Sequence, residues 1–211
     1  MKKTKEKIII LGAGGHAKVL VELIKEVGEY DIYGILAPKE TSASFCNVPI
    51  LGDDTILREI YNKGIKKACI GIGSVRDNTK RIQLYERVKE YGFNVPALVH
   101  PRAIVSLSAK IMEGAQIMAG VIIQADAFIG NNTIINTGAI IEHDCKVGKH
   151  IHVCPGSVLS GACEVGDGTF VGAGSILIHG IKIGWNACVG AGSVVIRDIK
   201  EGVLVKGVPA K

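Results

Sequence analysis

His143 stands between Glu142 and Asp144 in the segment Asn136-Thr-Gly-Ala-Ile-Ile-Glu-His-Asp144. An imidazole titrates near neutrality, and an adjoining carboxylate can orient the ring and steady its charged form. Either neighbour of His143 can fill that role. A base of this kind suits acyl transfer, in which it takes the proton of an amine or hydroxyl attacking a thioester. The same chemistry needs a donor aimed at the developing oxyanion and a cleft for coenzyme A. Gly161 follows His143 by eighteen residues and offers a backbone N–H with no side chain over it. His150, His152 and His179 are the other histidines of the second half.

The elements that must hold these residues are repeats. From Ala103 to Asp198 the chain divides into sixteen consecutive hexads without insertion. The third residue of every hexad, from Val105 through Ile141 and Leu159 to Val195, is aliphatic. The first is Ala, Ser, Thr or Cys in thirteen of the sixteen, and Gly follows the aliphatic position at 130, 148, 166 and 184. Each hexad reads as a short strand and a tight turn, and three hexads close one coil of a triangular parallel β-helix. Residues eighteen apart then stack about 4.8 Å apart along the axis. His143, Gly161 and His179 share one column. His152 lies half a coil away, so the two histidines of one prism meet only across an interface between subunits. That geometry argues for an oligomer, and a three-sided prism lends itself to a homotrimer with active sites between subunits.

The first hundred residues alternate differently. Lys7–Leu11 reads as a buried strand, followed by Gly12-Ala-Gly-Gly-His-Ala17 and an amphipathic run to about Gly28. Strands near 31–36, 67–72 and 93–99 and helices near 54–63 and 76–91 complete a small parallel α/β domain. His100-Pro101 marks its end, giving a Rossmann-like domain over 1–100 and a β-helix domain with a C-terminal tail over 101–211. Gly12-x-Gly14-x-x-Ala17, after a strand and before a helix, fits a loop that cradles phosphates. A dinucleotide site also wants an acidic residue ending the second strand, where Gly34-Ile-Leu-Ala-Pro38 stands. A nucleotide-sugar is therefore preferred to NAD.

Composition narrows the field. The net charge of +5 is spread thinly, without a basic stripe for nucleic acid. The apolar start is too short for a signal peptide or a membrane span, which points to the cytoplasm. The six cysteines form no C-x-x-C pair and no cluster at zinc spacing, so neither metal nor disulfide is expected. Cys145 and Cys163 occupy first hexad positions and read as inward filler, leaving no cysteine placed as a nucleophile.

Gly12-Ala-Gly-Gly-His-Ala-Lys-Val19, Asn136 to Asp144 and the ending Val205-Lys-Gly-Val-Pro-Ala-Lys211 together resemble the bacterial NeuD/PglD-type sugar acyltransferases. The resemblance spans essentially the whole chain and implies that the β-helix is left-handed. It implies that His143 is the general base, hydrogen-bonded to Asp144, and that Asn136 lies close to the acceptor. His152, Gly161, Gly172 and Gly190 would border acetyl-CoA, with the Gly161 N–H offered to the thioester carbonyl. Gly12, Gly14, Gly15, His16 and Gly73 would border the nucleotide-sugar. Ala37 and Pro38 depart from the acidic residues that members often carry there. The implied activity is acetyl-CoA-dependent N-acetylation of a nucleotide-linked 4-amino-sugar in surface-glycan synthesis, by direct transfer in a ternary complex. O-acetylation of sialic acid or a related sugar is the alternative, and a non-catalytic trimeric scaffold is a third reading.

Overall fold

The computed structural model describes residues 5–38 and 43–211; the lysines at the very start of the chain lie outside them. Two compact units result. One holds the N-terminal residues to Gly73 together with Thr79–Leu98, and the other holds Ser74–Asn78 and Val99–Lys211. The segment Ser74–Asn78, well inside the first hundred residues, thus belongs to the β-helix unit.

In the first unit, β1 (Glu6–Leu11), β2 (Tyr30–Leu36), β4 (Val48–Gly52) and β5 (Lys67–Ile70) form a parallel sheet in the order β4-β2-β1-β5. Ile8 to Leu11 are all essentially buried, the continuous apolar run of a strand covered on both faces. Ile9 and Leu11 pack with Leu57, Ile60, Tyr85 and Val88 of α2 (Leu57–Asn62) and α3 (Thr79–Glu90). Ile8 and Ile10 alternate to the opposite face. Gly28, at φ 74, closes α1 (Gly15–Val27) as a left-handed cap donating its N–H to Ile24.

Three sequence expectations differ here. The short strand β3 (Ser44–Phe45) pairs antiparallel with β4, a hairpin that the strand-helix alternation did not announce. The helix near 54–63 begins with a single 3-10 turn, Asp54–Ile56, capped by the Asp53 side chain. The strand expected near 93–99 breaks in two: Asn94 makes one bridge to Lys67, and Leu98–Val99 is a two-residue strand beside Gln116–Ile117. Pro96 has no N–H for a ladder, so Phe93 and Val95 serve as buried packing instead.

In the second unit, sixteen two-residue strands recur every six residues from Ile104–Val105 to Val194–Val195, and each ends on its hexad's third residue. Partners in the parallel ladders are eighteen residues apart, as in Ile140 with Val158 and Ile141 with Leu159. The third-position side chains form the core and are buried from Ile117 onward. First-position residues do more than fit. Thr133, Ser157, Thr169 and Ser175 donate their hydroxyls to carbonyls fifteen residues on, at 2.8–3.0 Å. Polar groups facing the narrow interior are thereby satisfied. The sixth residue takes the left-handed turn conformation in fourteen of the sixteen hexads, Gly in eight of them and Asp144 at φ 60 in the turn of His143. Asp tolerates that region better than most residues.

The three outer faces differ in chemistry. One presents Ile104, Ile122, Ile140, Val158, Ile176 and Val194, an aliphatic outward residue in every coil. The next presents Lys110, Phe128, Lys146, Glu164 and Lys182. The third carries His152 and Phe170, and Ser74–Asn78 reaches it through Ser74 at His152 and Asn78 at the Gly168 carbonyl.

Candidate active site

His143 sits in the turn that leaves the aliphatic face for the charged one. Its carbonyl accepts the N–H of Ala162 at 2.8 Å, and Asp144 donates its own N–H to Ala125 at 3.0 Å, so neighbouring coils clamp the turn. The ring is exposed and its Nδ1 lies 2.8 Å from Asp144 Oδ2. That hydrogen bond above all raises the pKa of His143 from its ordinary value. The charges of Asp144 and Glu142 add to it, against a lowering by partial loss of water. Asp144 is thus the carboxylate that holds the ring, and Glu142 acts only through space. With Nδ1–H directed at a carboxylate, Nε2 carries the lone pair.

Gly161 lies directly against that nitrogen. A Cβ placed on Gly161 would come 2.5 Å from His143 Nε2 and 3.1 Å from His179 Nδ1. The imidazoles of His143 and His179, with centroids 6.2 Å apart, close over a spot that only glycine leaves open. Among the described residues the Gly161 N–H has no hydrogen-bond partner. A basic nitrogen and an unspent backbone donor border one small space, the arrangement that acyl transfer needs.

Asn136 and His152 lie together at the opposite edge of the aliphatic face, with Asn136 Nδ2 3.0 Å from His152 Nε2. His152 is buried and meets the Ser74 hydroxyl and carbonyl through Nδ1, at 3.0 and 3.1 Å. Gly172 and Gly190 continue the Asn136 column. A Cβ on Gly172 would fall 2.5 Å from Ala191 N, and one on Gly190 would fall 2.9 Å from Lys206 Cβ. Packing between coils therefore accounts for both glycines.

The thiols of Cys145 and Cys163 donate to the carbonyls of Ser160 and Ile178, each at 3.2 Å. Both residues are fully buried; their mutual hydrogen bond, with burial, pushes the Cys145 thiol up and draws the Cys163 thiol down, but burial keeps each from an incoming thioester. Neither is placed for nucleophilic attack. The charged face holds an open groove of about 780 Å³ between Phe128 and Ile183, edged by Lys110, Lys146 and Lys182. Sequence reasoning did not mark it, because its residues meet only when coils stack.

In the first unit, Gly12 has φ 111 and approaches Ile72 and Gly71 so closely that a Cβ would lie 2.7 Å from Ile72 Cγ1. Gly14 and Gly15 open the N-terminus of α1 onto free space, and Gly73 lies against the His16 ring. A hollow of about 120 Å³ opens between Gly12, Pro38, Ile72 and Lys80. Ala37 and Pro38 indeed bring no acid there. Asp53 and Asp54 do, from the end of the neighbouring strand, because Ala37 N bonds the Gly52 carbonyl at 2.8 Å. The missing signal was the pairing of β2 with β4.

Residues 7–88 match the family model of the PglD N-terminal domain, and residues 126–161 and 162–197 match that of the bacterial transferase hexapeptide (six repeats). A variant of perosamine N-acetyltransferase from Caulobacter crescentus, solved with CoA and GDP-perosamine, is 40% identical. The match covers 97% of this chain and 95% of that one at a TM-score of 0.92. The chain belongs to the NeuD/PglD-type sugar acyltransferases. The acetyltransferase domain of PglB from Neisseria gonorrhoeae FA1090, solved with acetyl coenzyme A, is 33% identical over 99% of both chains, with a TM-score of 0.90. UDP-N-acetylbacillosamine N-acetyltransferase from Bacillus subtilis (strain 168) is 40% identical over 112 residues, 53% of this chain. That alignment spans about half of the curated relative, 51% of its length. The architecture of this sugar acyltransferase is a Rossmann-like domain followed by a left-handed parallel β-helix, as the resemblance implied. No helix among its described residues is long and apolar enough to cross a membrane.

Proposed function

We propose that this chain transfers the acetyl group of acetyl-CoA to the amine of a nucleotide-linked 4-amino-sugar. The observation that carries this reading is the His143 Nε2 lone pair against the unspent N–H of Gly161, with Asp144 holding Nδ1. The acceptor nitrogen attacks the thioester carbonyl, His143 Nε2 takes the proton that nitrogen loses, and the C–S bond breaks. The proton then passes to the leaving thiolate. Gly161 N–H meets the oxyanion, and Asp144 keeps the ring in one tautomer and stabilises the imidazolium. Relatives of the whole chain bind CoA and GDP-perosamine together, which supports a ternary complex and an amino-sugar acceptor. The groove on the charged face sets Lys110, Lys146, Lys182 and Lys200 beside Asp126, Glu164, Asp198 and Glu201, and a coenzyme A phosphate bound there would draw Lys146 and Lys182 from Glu164.

The working form is a homotrimer. The aliphatic face is unpaired within one protomer, with Ile104 67% and Ile176 41% exposed. It is flanked by the His143 corner on one side and the Asn136–His152 corner on the other. Turning that face inward about a threefold axis covers the aliphatics and brings the His143 corner of one protomer to the Asn136 corner of the next. The use of acetyl-CoA and a nucleotide-sugar supports a cytoplasmic reaction whose product would feed glycan synthesis.

Thiol release from acetyl-CoA by wild type and His143→Ala tests the reading. The acceptors are GDP-perosamine, UDP-linked 4-amino-sugars, sialic acids and matched hydroxyl sugars. Release with an amino-sugar that the variant loses supports it. Release with sialic acids alone transfers the activity to oxygen, and silence with no coenzyme A binding leaves only a scaffold.

A further inference from the structure

The hydrogen bonds around His152 fix its chemical form. Asn136 Oδ1 accepts the backbone N–H of Thr137 at 2.8 Å, and an amide nitrogen cannot replace it there. The orientation of the Asn136 amide is therefore set, and Nδ2 is the atom that faces His152 Nε2 at 3.0 Å. Two N–H groups cannot meet head-on, so Nε2 carries a lone pair and accepts from Asn136. The ring proton then sits on Nδ1, where the Ser74 carbonyl lies at 3.1 Å and the Ser74 hydroxyl at 3.0 Å. Ser74 is 8% and His152 7% exposed, and Phe170 packs edge-on against the ring at 5.7 Å. This chain, buried at Ser74 and His152 and half-buried at Asn136, ends on the one amide proton of Asn136 that neither Thr137 nor His152 uses.

We infer that Ser74 is a positioning residue for acyl transfer, holding His152 neutral and protonated on Nδ1 so that Nε2 aims the Asn136 amide at the acceptor. His152 then gives no ring N–H to the thioester, and its influence on the reaction runs through Asn136. The kinetic part of this inference rests on the acetyl-transfer reading above; the assignment of the ring does not.

Nitrogen-15 NMR of histidine-labelled protein tests the ring directly, with the His152 signals assigned by their loss in His152→Gln. A lone-pair nitrogen at Nε2 and a protonated Nδ1 are expected in wild type and also in Ser74→Ala, where the backbone carbonyl and Asn136 remain, with both forms mixed only in Asn136→Ala. Kinetics with GDP-perosamine should show Ser74→Ala losing roughly five- to tenfold in kcat/KM for the acceptor, the scale of one buried hydrogen bond. The KM for acetyl-CoA should stay unchanged, and Ser74→Thr should recover most of the loss. A protonated Nε2 in wild type overturns the inference, as does a Ser74→Ala protein with the wild-type kcat/KM for the acceptor. A lone-pair Nε2 together with no turnover on any acceptor would sink the reaction and leave the ring assignment standing.

Discussion

Replacing Gly161 by alanine tests the closest approach in the candidate site. The new Cβ would stand 2.5 Å from His143 Nε2 and 2.6 Å from its Cε1. Nonbonded heavy atoms rest at about 3.5 Å or more, so the ring must retreat by roughly 1 Å. It cannot retreat without loosening the 2.8 Å bond to Asp144 or leaving the space beside the Gly161 N–H. A displacement of that size at a reacting atom costs about a hundredfold in rate. Gly161 does not sit in the left-handed region, so the backbone accepts alanine and the fold should melt as wild type does. Steady-state thiol release in the four proteins of a double-mutant cycle isolates the effect. Gly161→Ala should lower kcat about a hundredfold in the wild type and by no more than about threefold once His143 is alanine, because the collision has gone. The same loss in both backgrounds would refute the argument, since the alanine would then act elsewhere than on the ring.

Other perturbations follow from the same structure. Asp144 raises the pKa of His143, and the base must be neutral to act, so the acidic limb of kcat/KM should lie above the ordinary histidine value near 6.5. Asp144→Asn removes that support; the limb should move to lower pH and the plateau fall by about tenfold or more, while Glu142→Gln shifts the limb far less. Ile140→Asp puts a charge in the middle of the aliphatic face and should yield monomers by light scattering, with turnover lost. Persistence of an active trimer would show that this face is not the interface. Leu159 is fully buried between Ile141 and Leu177, and Leu159→Ala should cost about 2–5 kcal/mol in chemical denaturation at fixed protein concentration.

The β-helix was legible residue by residue because its order is local and periodic. A hexad needs one inward aliphatic, one small neighbour and one residue able to turn, and each of these is visible in the chain from Ala103 onward. The column of His143, Gly161 and His179 followed from the eighteen-residue period alone, and the structure places the three side by side. The first strand and the glycine loop were equally plain, since a buried parallel strand writes itself as an unbroken apolar run.

What the period could not convey is which atoms meet. Glu142 and Asp144 are equivalent in sequence, and the turn decided between them: at φ 60, Asp144 points its carboxylate at Nδ1. Asp53 and Asp54 entered the hollow beside Gly12 only through the pairing of β2 with β4. The contact of Ser74 with His152 joins residues seventy-eight apart, and nothing local marks it. Periodicity fixes where a side chain lies along and around the coil, whereas proton positions and partners depend on angles and distances between segments that only folding brings together.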